Sequence, residues 1–136
     1  MTRVLVDSNV LLDVLTPGSP WEAWSGDAIM ACAEYARLVI NPIIYAEVSV
    51  GYTSMAGVDL PLATDLFTRE KLPWRAAFLA GKAFEQYRRA GGLKRSPLPD
   101  FYIGAHAAAT GMRLLTRDPA RYRTCFPSVE LIAPDS

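Results

Sequence analysis

Four acidic residues in this 136-residue chain stand where chemistry accounts for them better than packing does. Asp7 ends the run Val4-Leu5-Val6, just before Val10, Leu11, Val14 and Leu15 recur at helical spacing. Glu47 lies in PIIYAEVSVGY (42–52). A helix there puts Ile43, Ile44, Val50 and Gly51 on one face with the carboxylate in its middle, and Tyr45, Ser49 and Tyr52 on the other. Asp100 opens DFYIGAHAAATG behind SPLP, and Asp118 follows the apolar LLT and precedes Pro119. A carboxylate carried into apolar surroundings is costly unless it is paired or binds a metal. Several acids within a few Å raise one another's pKa and do not all stay ionised without a cation. Oxygen-only ligation suits hard ions such as Mg²⁺ or Mn²⁺ rather than zinc. The set predicts an acidic divalent-metal site.

Each acid also has an ordinary structural use. Asp7 or Ser8 caps a following helix, and Glu47 fits a buried salt bridge to an arginine. Asp100 suits the positive end of a helix dipole. Asp118 suits an N-cap with proline at the first helical position. What favours the metal reading is coincidence: two acids at strand ends share one edge of a parallel sheet, the edge where ligands bind in open α/β folds.

The elements that must position these acids alternate. Residues 3–7 read as a buried strand and 9–15 as a helix, with a turn at TPGSP (16–20). A helix over 21–36, a strand at 37–41 and a helix from Pro42 to about Tyr52 follow. After a loop around Gly57, residues 60–70 and 74–90 read as an antiparallel helix pair. A loop at 91–99 leads to a helix over 100–111 ended by Gly111, then strands at 113–116 and 129–133. The expectation is one α/β domain over residues 1–136, a three-layer fold with a central parallel sheet of about four to five strands between helices.

Hydrophobic residues make up 51% and charged residues 21%, a globular balance. A net charge of zero argues against non-specific nucleic-acid binding through the whole surface. Cys32 and Cys125 are too far apart for a CxxC pair, so neither a disulfide framework nor zinc is expected. With no signal peptide and no apolar run of about 20 residues, the expectation is a cytoplasmic protein without a membrane span. His106, the one histidine, falls about 240° around a helix from Asp100, as a surface or packing residue. Ser-His-Asp or Cys-His catalysis thus has little support.

The motifs VLVDSNVLLD, NPIIYAEV, LPDFYIGAHA and LLTRDPARYRTCFPSVELIAP, in that order, resemble those of PIN domains, specifically the VapC-type ribonuclease toxins of bacterial toxin–antitoxin pairs. The resemblance covers essentially the whole chain, with 60–90 its least diagnostic part. It implies a PIN-like fold and a Mg²⁺- or Mn²⁺-dependent endoribonuclease acting on structured RNA, tRNA or rRNA, to leave a 5′-phosphate and a 3′-hydroxyl. Asp7, Glu47, Asp100 and Asp118 would be the catalytic acids and metal ligands, with Ser8, Asn9 and Thr116 beside them to orient ligands or water. A VapB-like antitoxin covering a groove made by the helices at 21–52, and a homodimer, are implied as partners.

For the RNA backbone, Arg117, Arg121, Lys94 and Arg95 flank the acids, whereas Arg88 and Arg89 suit the negative end of a helix dipole. Trp21, Trp24, Trp74 and Phe78 are expected to pack in the core or against another subunit rather than stack on bases. A phosphatase with Asp7 as nucleophile would want a second acid two residues on, where Asn9 stands. The other rival is a catalytically silent acid pocket that receives a protein partner's arginine. Metal-dependent RNA cleavage separates it from the nuclease.

Overall fold

The computed structural model describes residues 2–93 and 98–134. Lys94 and Arg95 lie outside them. Among the described residues, five strands form one sheet: β1 (Thr2–Val6), β2 (Ala36–Ile40), β3 (Thr68–Arg69), β4 (Arg113–Leu115) and β5 (Leu131–Ile132). All four pairings are parallel, in the order β3-β2-β1-β4-β5. A parallel strand buried on both faces needs an unbroken apolar run, and Val4, Leu5 and Val6 are fully enclosed.

The helices are α1 (Ser8–Leu15), α2 (Glu22–Ala33), α3 (Pro42–Ser49), α4 (Met55–Asp59), α5 (Trp74–Arg89), α6 (Pro99–Thr110) and α7 (Ala120–Cys125). The chain steps outward from β1 to β2 to β3, then returns to β4 and β5 on the other side of β1. Right-handed crossovers therefore put α1 to α4 on one side of the sheet and α5 to α7 on the other. The order reverses between β1 and β4, so their carboxyl ends flank the switch point where open α/β sheets form their clefts.

Three expectations need correction. Residues 60–70 are not half of a helix pair. α4 occupies the expected loop around Gly57, turns follow, and β3 adds an edge strand. Pro61 removes a helical donor and clashes with the preceding turn, and a two-residue strand carries no readable periodicity. The true antiparallel partner of α5 is α6. The apolar stripe drawn through Glu47 is also different: α3 stops at Ser49, leaving Val50 86% exposed, while Ile44 and Val48 are fully buried. Glu47 borders that stripe, half-buried. Finally, α7 is absent from the run of elements read above, although the capping use of Asp118 implied a helix there; its N-cap is Pro119 rather than Asp118. It is seated on α6 where Gly104 has no side chain, since a Cβ there would lie 2.4 Å from the Phe126 ring. Gly111 ends α6 as expected, in a left-handed conformation at φ 69°.

Trp74 and Phe78 lie on the outer face of α5, 92% and 63% exposed, and are not core residues. No described helix is long and apolar enough to cross a membrane.

Candidate functional site

The strand registers align one row of side chains across the carboxyl edge. Two steps beyond the pair Leu5↔Val39, and one step beyond Val6↔Leu115 and Ile40↔Arg69, Asp7 falls between Asn41 and Thr116, with Glu70 beyond Asn41. The ladder carries on through this row, with Asp7 N donating to Leu115 O at 2.9 Å and Glu70 N to Ile40 O at 3.0 Å.

Asp7, 2% exposed, does the capping job named for it. Its Oδ1 accepts the Ser8 amide at 2.7 Å and caps α1. Its Oδ2 accepts the Thr116 and Tyr122 hydroxyls, each at 2.9 Å, and the Asn9 amide at 3.5 Å. The Ser8 hydroxyl donates to Glu47 Oε1 at 2.7 Å and lies 3.5 Å from Asp7 Oδ1, so it links the first strand end to α3. The Tyr122 hydroxyl lies 3.5 Å from Asp100 Oδ1, linking Asp7 to α6. Asp118 joins through its backbone, its amide donating to Thr116 Oγ1 at 3.1 Å, while its side chain reaches solvent.

The electrostatics mark these acids as under-compensated. Burial pushes Asp7 up from 3.8 to about 6; the Tyr122 and Thr116 hydroxyls oppose this, and the charge of Asp100 adds to it. Glu47 is raised by burial, opposed by Ser8 and reinforced by Asp100. Asp100 is also raised by burial, opposed by Arg121 and reinforced by Asp118. Among the described residues, no three His, Cys, Asp or Glu side chains stand close enough to grip a metal ion as they are placed. The donor set still fits a hard divalent cation: every donor is oxygen, and the acids repel one another with hydroxyls alone in the gap between Asp7 and Asp100.

Of the expected RNA contacts, Arg117 is engaged by Asp13, through Nε–Oδ2 at 2.9 Å and Nη2–Oδ1 at 3.1 Å, and lies over the Trp21 ring. Its amide donates to Asn9 Oδ1 at 3.1 Å, tying α1 to the segment after β4. Arg121 reaches Asp100 Oδ2 at 3.4 Å and stacks over Tyr87 and Phe101. A cleft of about 400 Å³, lined by Tyr87, Asp100, Asp118, Arg121, Thr124 and Cys125, opens beside the acids.

Sequence reasoning missed Tyr122, which is fully buried with its hydroxyl between two of the acids. Pro119 was a usable signal, because a helix started there puts Tyr122 within a turn of Asp118. His106 is fully buried, the packing residue of the two options, in a second polar cluster. Its Nδ1 faces Asn41 Nδ2 at 3.0 Å and its Nε2 lies 3.5 Å from Glu70 Oε1. Glu70 in turn pairs with Arg3, which also reaches Thr110 O at 3.3 Å. Asn41 Oδ1 caps α3 by accepting the Ile44 amide at 2.9 Å.

Residues 4–127 match the model of the PIN domain family. No curated protein matches by sequence. Among solved structures, VapBC2 from Rickettsia felis, bound to a DNA fragment from its promoter, superposes with TM-score 0.76 at 15% identity, covering 98% of this chain and 100% of that one. A toxin–antitoxin complex from Klebsiella pneumoniae gives TM-score 0.67 at 23% identity over 93% and 94%. VapC20 from Mycobacterium tuberculosis, a toxin that cleaves the sarcin–ricin loop, gives 0.64 at 15% over 93% and 98%.

Proposed function

The chain belongs to the PIN domain family, and from that premise we propose that it is the endoribonuclease toxin of a toxin–antitoxin pair, cutting structured RNA, tRNA or rRNA, with Mg²⁺ or Mn²⁺. The observation that carries this is the linkage of Asp7, Glu47 and Asp100, from three separate elements, through the hydroxyls of Ser8 and Tyr122 at the switch point of the sheet.

Asp7, Glu47 and Asp100 would hold the cation, with Asp118 as a further ligand or acting through water. A bound divalent ion would supply charge neutralisation at the phosphate and a water of lowered pKa. The chain's own part is to hold the acids ready. Thr116 fixes Asp7, accepts the Asn9 amide at 3.3 Å and receives the Asp118 amide, so one hydroxyl sets the spacing of the strand-end pair. Ser8 orients Glu47 toward Asp7. Arg121 beside Asp100 gives the neighbouring cleft a positive wall, suited to a phosphate backbone that must approach a cluster of negative charge. Arg117 ties the segment after β4 to α1 through Asp13 and Asn9.

The toxin reading carries a VapB-like antitoxin as protein partner, supported by the toxin–antitoxin complexes among the similar folds; a homodimer and a cytoplasmic setting are part of the same proposal. The test is incubation of antitoxin-free protein with total cellular RNA under Mg²⁺, Mn²⁺ or EDTA, beside Asp100→Asn. Discrete metal-dependent fragments, lost in Asp100→Asn, are expected. Folded protein that leaves every RNA intact under either metal sinks the nuclease reading and turns the acids into a docking pocket for a partner's arginine.

A further inference from the structure

Among the described residues, Tyr122 is the largest of the fully buried side chains, and its hydroxyl donates to Asp7 and lies near Asp100. A carboxylate has about four lone-pair sites. On Asp7, Oδ1 is engaged by the Ser8 amide, with the Ser8 hydroxyl at 3.5 Å, and Oδ2 by Thr116 and Tyr122 at equal distance, with the Asn9 amide farther off at 3.5 Å. The Thr116 hydroxyl belongs to the sheet edge, on the β4 side. Among the described hydrogen bonds, the Tyr122 hydroxyl is the group that faces Asp7 and Asp100 together, 2.9 Å from one and 3.5 Å from the other. It brings one polarised hydrogen to the gap where two carboxylates would otherwise meet with nothing positive between them.

We propose that the Tyr122 hydroxyl competes with a divalent cation for the gap between Asp7 and Asp100, so that ion binding comes at the expense of its contact with Asp7. This rests on reading the acids as a cation site. The residue is a positioning group, and it acts on the metal-free state rather than on the reaction. Removing the hydroxyl while keeping the ring exposes the two charges to each other only while the ion is absent, so the loss disappears on loading. A ring that mattered for packing alone would cost the same in both states.

The experiment is thermal unfolding of the whole chain and of Tyr122→Phe at pH 7.5, in EDTA and in saturating Mn²⁺. In EDTA the variant is expected to melt about 5 °C lower, the scale of one charge-assisted hydrogen bond in a domain of this size. In Mn²⁺ the gap closes, so the ion raises the melting temperature of the variant more than that of the parent. Calorimetry then gives Mn²⁺ affinity about tenfold tighter in the variant, since it no longer displaces the hydroxyl. A variant that folds only with Mn²⁺ is the same result in stronger form. A gap of equal size in both conditions, no gap in either, or a variant that folds in neither overturns the competition. If Mn²⁺ does not shift the parent at all, the cation site itself falls with it. A second comparison uses Asp100→Asn as background. There Tyr122→Phe should cost less than half as much in EDTA, and an unchanged cost overturns the claim that the hydroxyl serves the gap between the two acids.

Discussion

Two polar clusters lie side by side between the carboxyl edge of the sheet and α6, and they treat their carboxylates in opposite ways. In one, Glu70 faces the Arg3 guanidinium and the His106 ring, and Asn41 spends both ends of its amide on His106 and on the α3 cap. In the other, Asp7 is more deeply buried, has only hydroxyl and amide donors, and confronts a second carboxylate at Asp100. The first arrangement satisfies its charge from within the chain and serves the fold. The second leaves the acid raised to about 6, a charge that a bound cation would relieve. Both draw on the same helix, through Asp100 and His106, so the difference lies in how deeply each carboxylate is buried and in the partners supplied to it.

The contrast is tested hardest by neutralising the acids of the second cluster. Asp7→Asn or Asp100→Asn is expected to lower metal-dependent RNA cleavage by about 10³-fold, the scale of several kcal/mol of lost charge stabilisation. Single-turnover cleavage at saturating protein measures it. Retained activity in both variants means that the chemistry lies elsewhere.

The next effect is on stability. A carboxyl whose folded pKa is raised binds its proton more tightly in the folded state. Its contribution is therefore present below the ordinary value and lost as pH rises from about 4 to about 6. For Asp7 this is worth at most about 3 kcal/mol, at about 1.4 kcal/mol per unit. In EDTA, the stability of Asp7→Asn relative to the parent should accordingly improve by up to that amount between pH 4 and pH 7, read by urea unfolding. A difference that does not change with pH would falsify the assignment of Asp7 as an uncompensated charge.

How much of this was legible in the residues follows the same division. Asp7 could be read because an acid ending a β-branched run is locally anomalous, and Asp100 and Asp118 because prolines and strand ends bracket them. Glu47 was found by the same anomaly but with the wrong stripe, since the end of α3 at Ser49 depends on tertiary packing that no helical wheel contains. β3 is two residues long, and its strand character comes from β2 beside it rather than from its own pattern. Tyr122 and the burial of His106 are consequences of which helix lands on which: α7 reaches the acids only because Gly104 admits Phe126, and His106 is enclosed only because Asn41, Glu70 and Arg3 come in from three strand segments. Spacing along one element reveals an odd residue; it does not reveal that residue's neighbours.

In the fold-serving cluster, Arg3→Met removes the internal cation and leaves Glu70 and His106 facing each other with the helix-end carbonyl of Thr110 unpaired from its guanidinium. The pair is about a quarter to a third exposed, so the expected destabilisation is about 2 kcal/mol rather than the larger cost of a fully buried pair. RNA cleavage per folded molecule should hold at the parent value. Loss of cleavage at intact stability would break the separation of the two clusters, because it would mean that the Arg3–Glu70–His106 chain reports to the acids through Asn41 and α3.

Glu47 gives the smallest and sharpest test, because it stands between the two behaviours. Like Asp7 it is raised by burial and by Asp100, yet it is only half-buried, and its described hydrogen bond is to one hydroxyl, Ser8. Water therefore screens part of the charge that Asp7 presents in full. Glu47→Gln is expected to lower cleavage about tenfold, roughly 1.4 kcal/mol, with little change in stability. Ser8→Ala removes the hydroxyl that aims Glu47 and leaves its charge in place. Extra metal can then recover what misdirection costs. The two variants should separate on a Mn²⁺ titration, with Ser8→Ala approaching the parent rate at high metal and Glu47→Gln staying below it at every concentration. Coincident titrations would assign the Glu47 carboxylate to holding Ser8 in place, and the site would then be built on Asp7, Asp100 and Asp118.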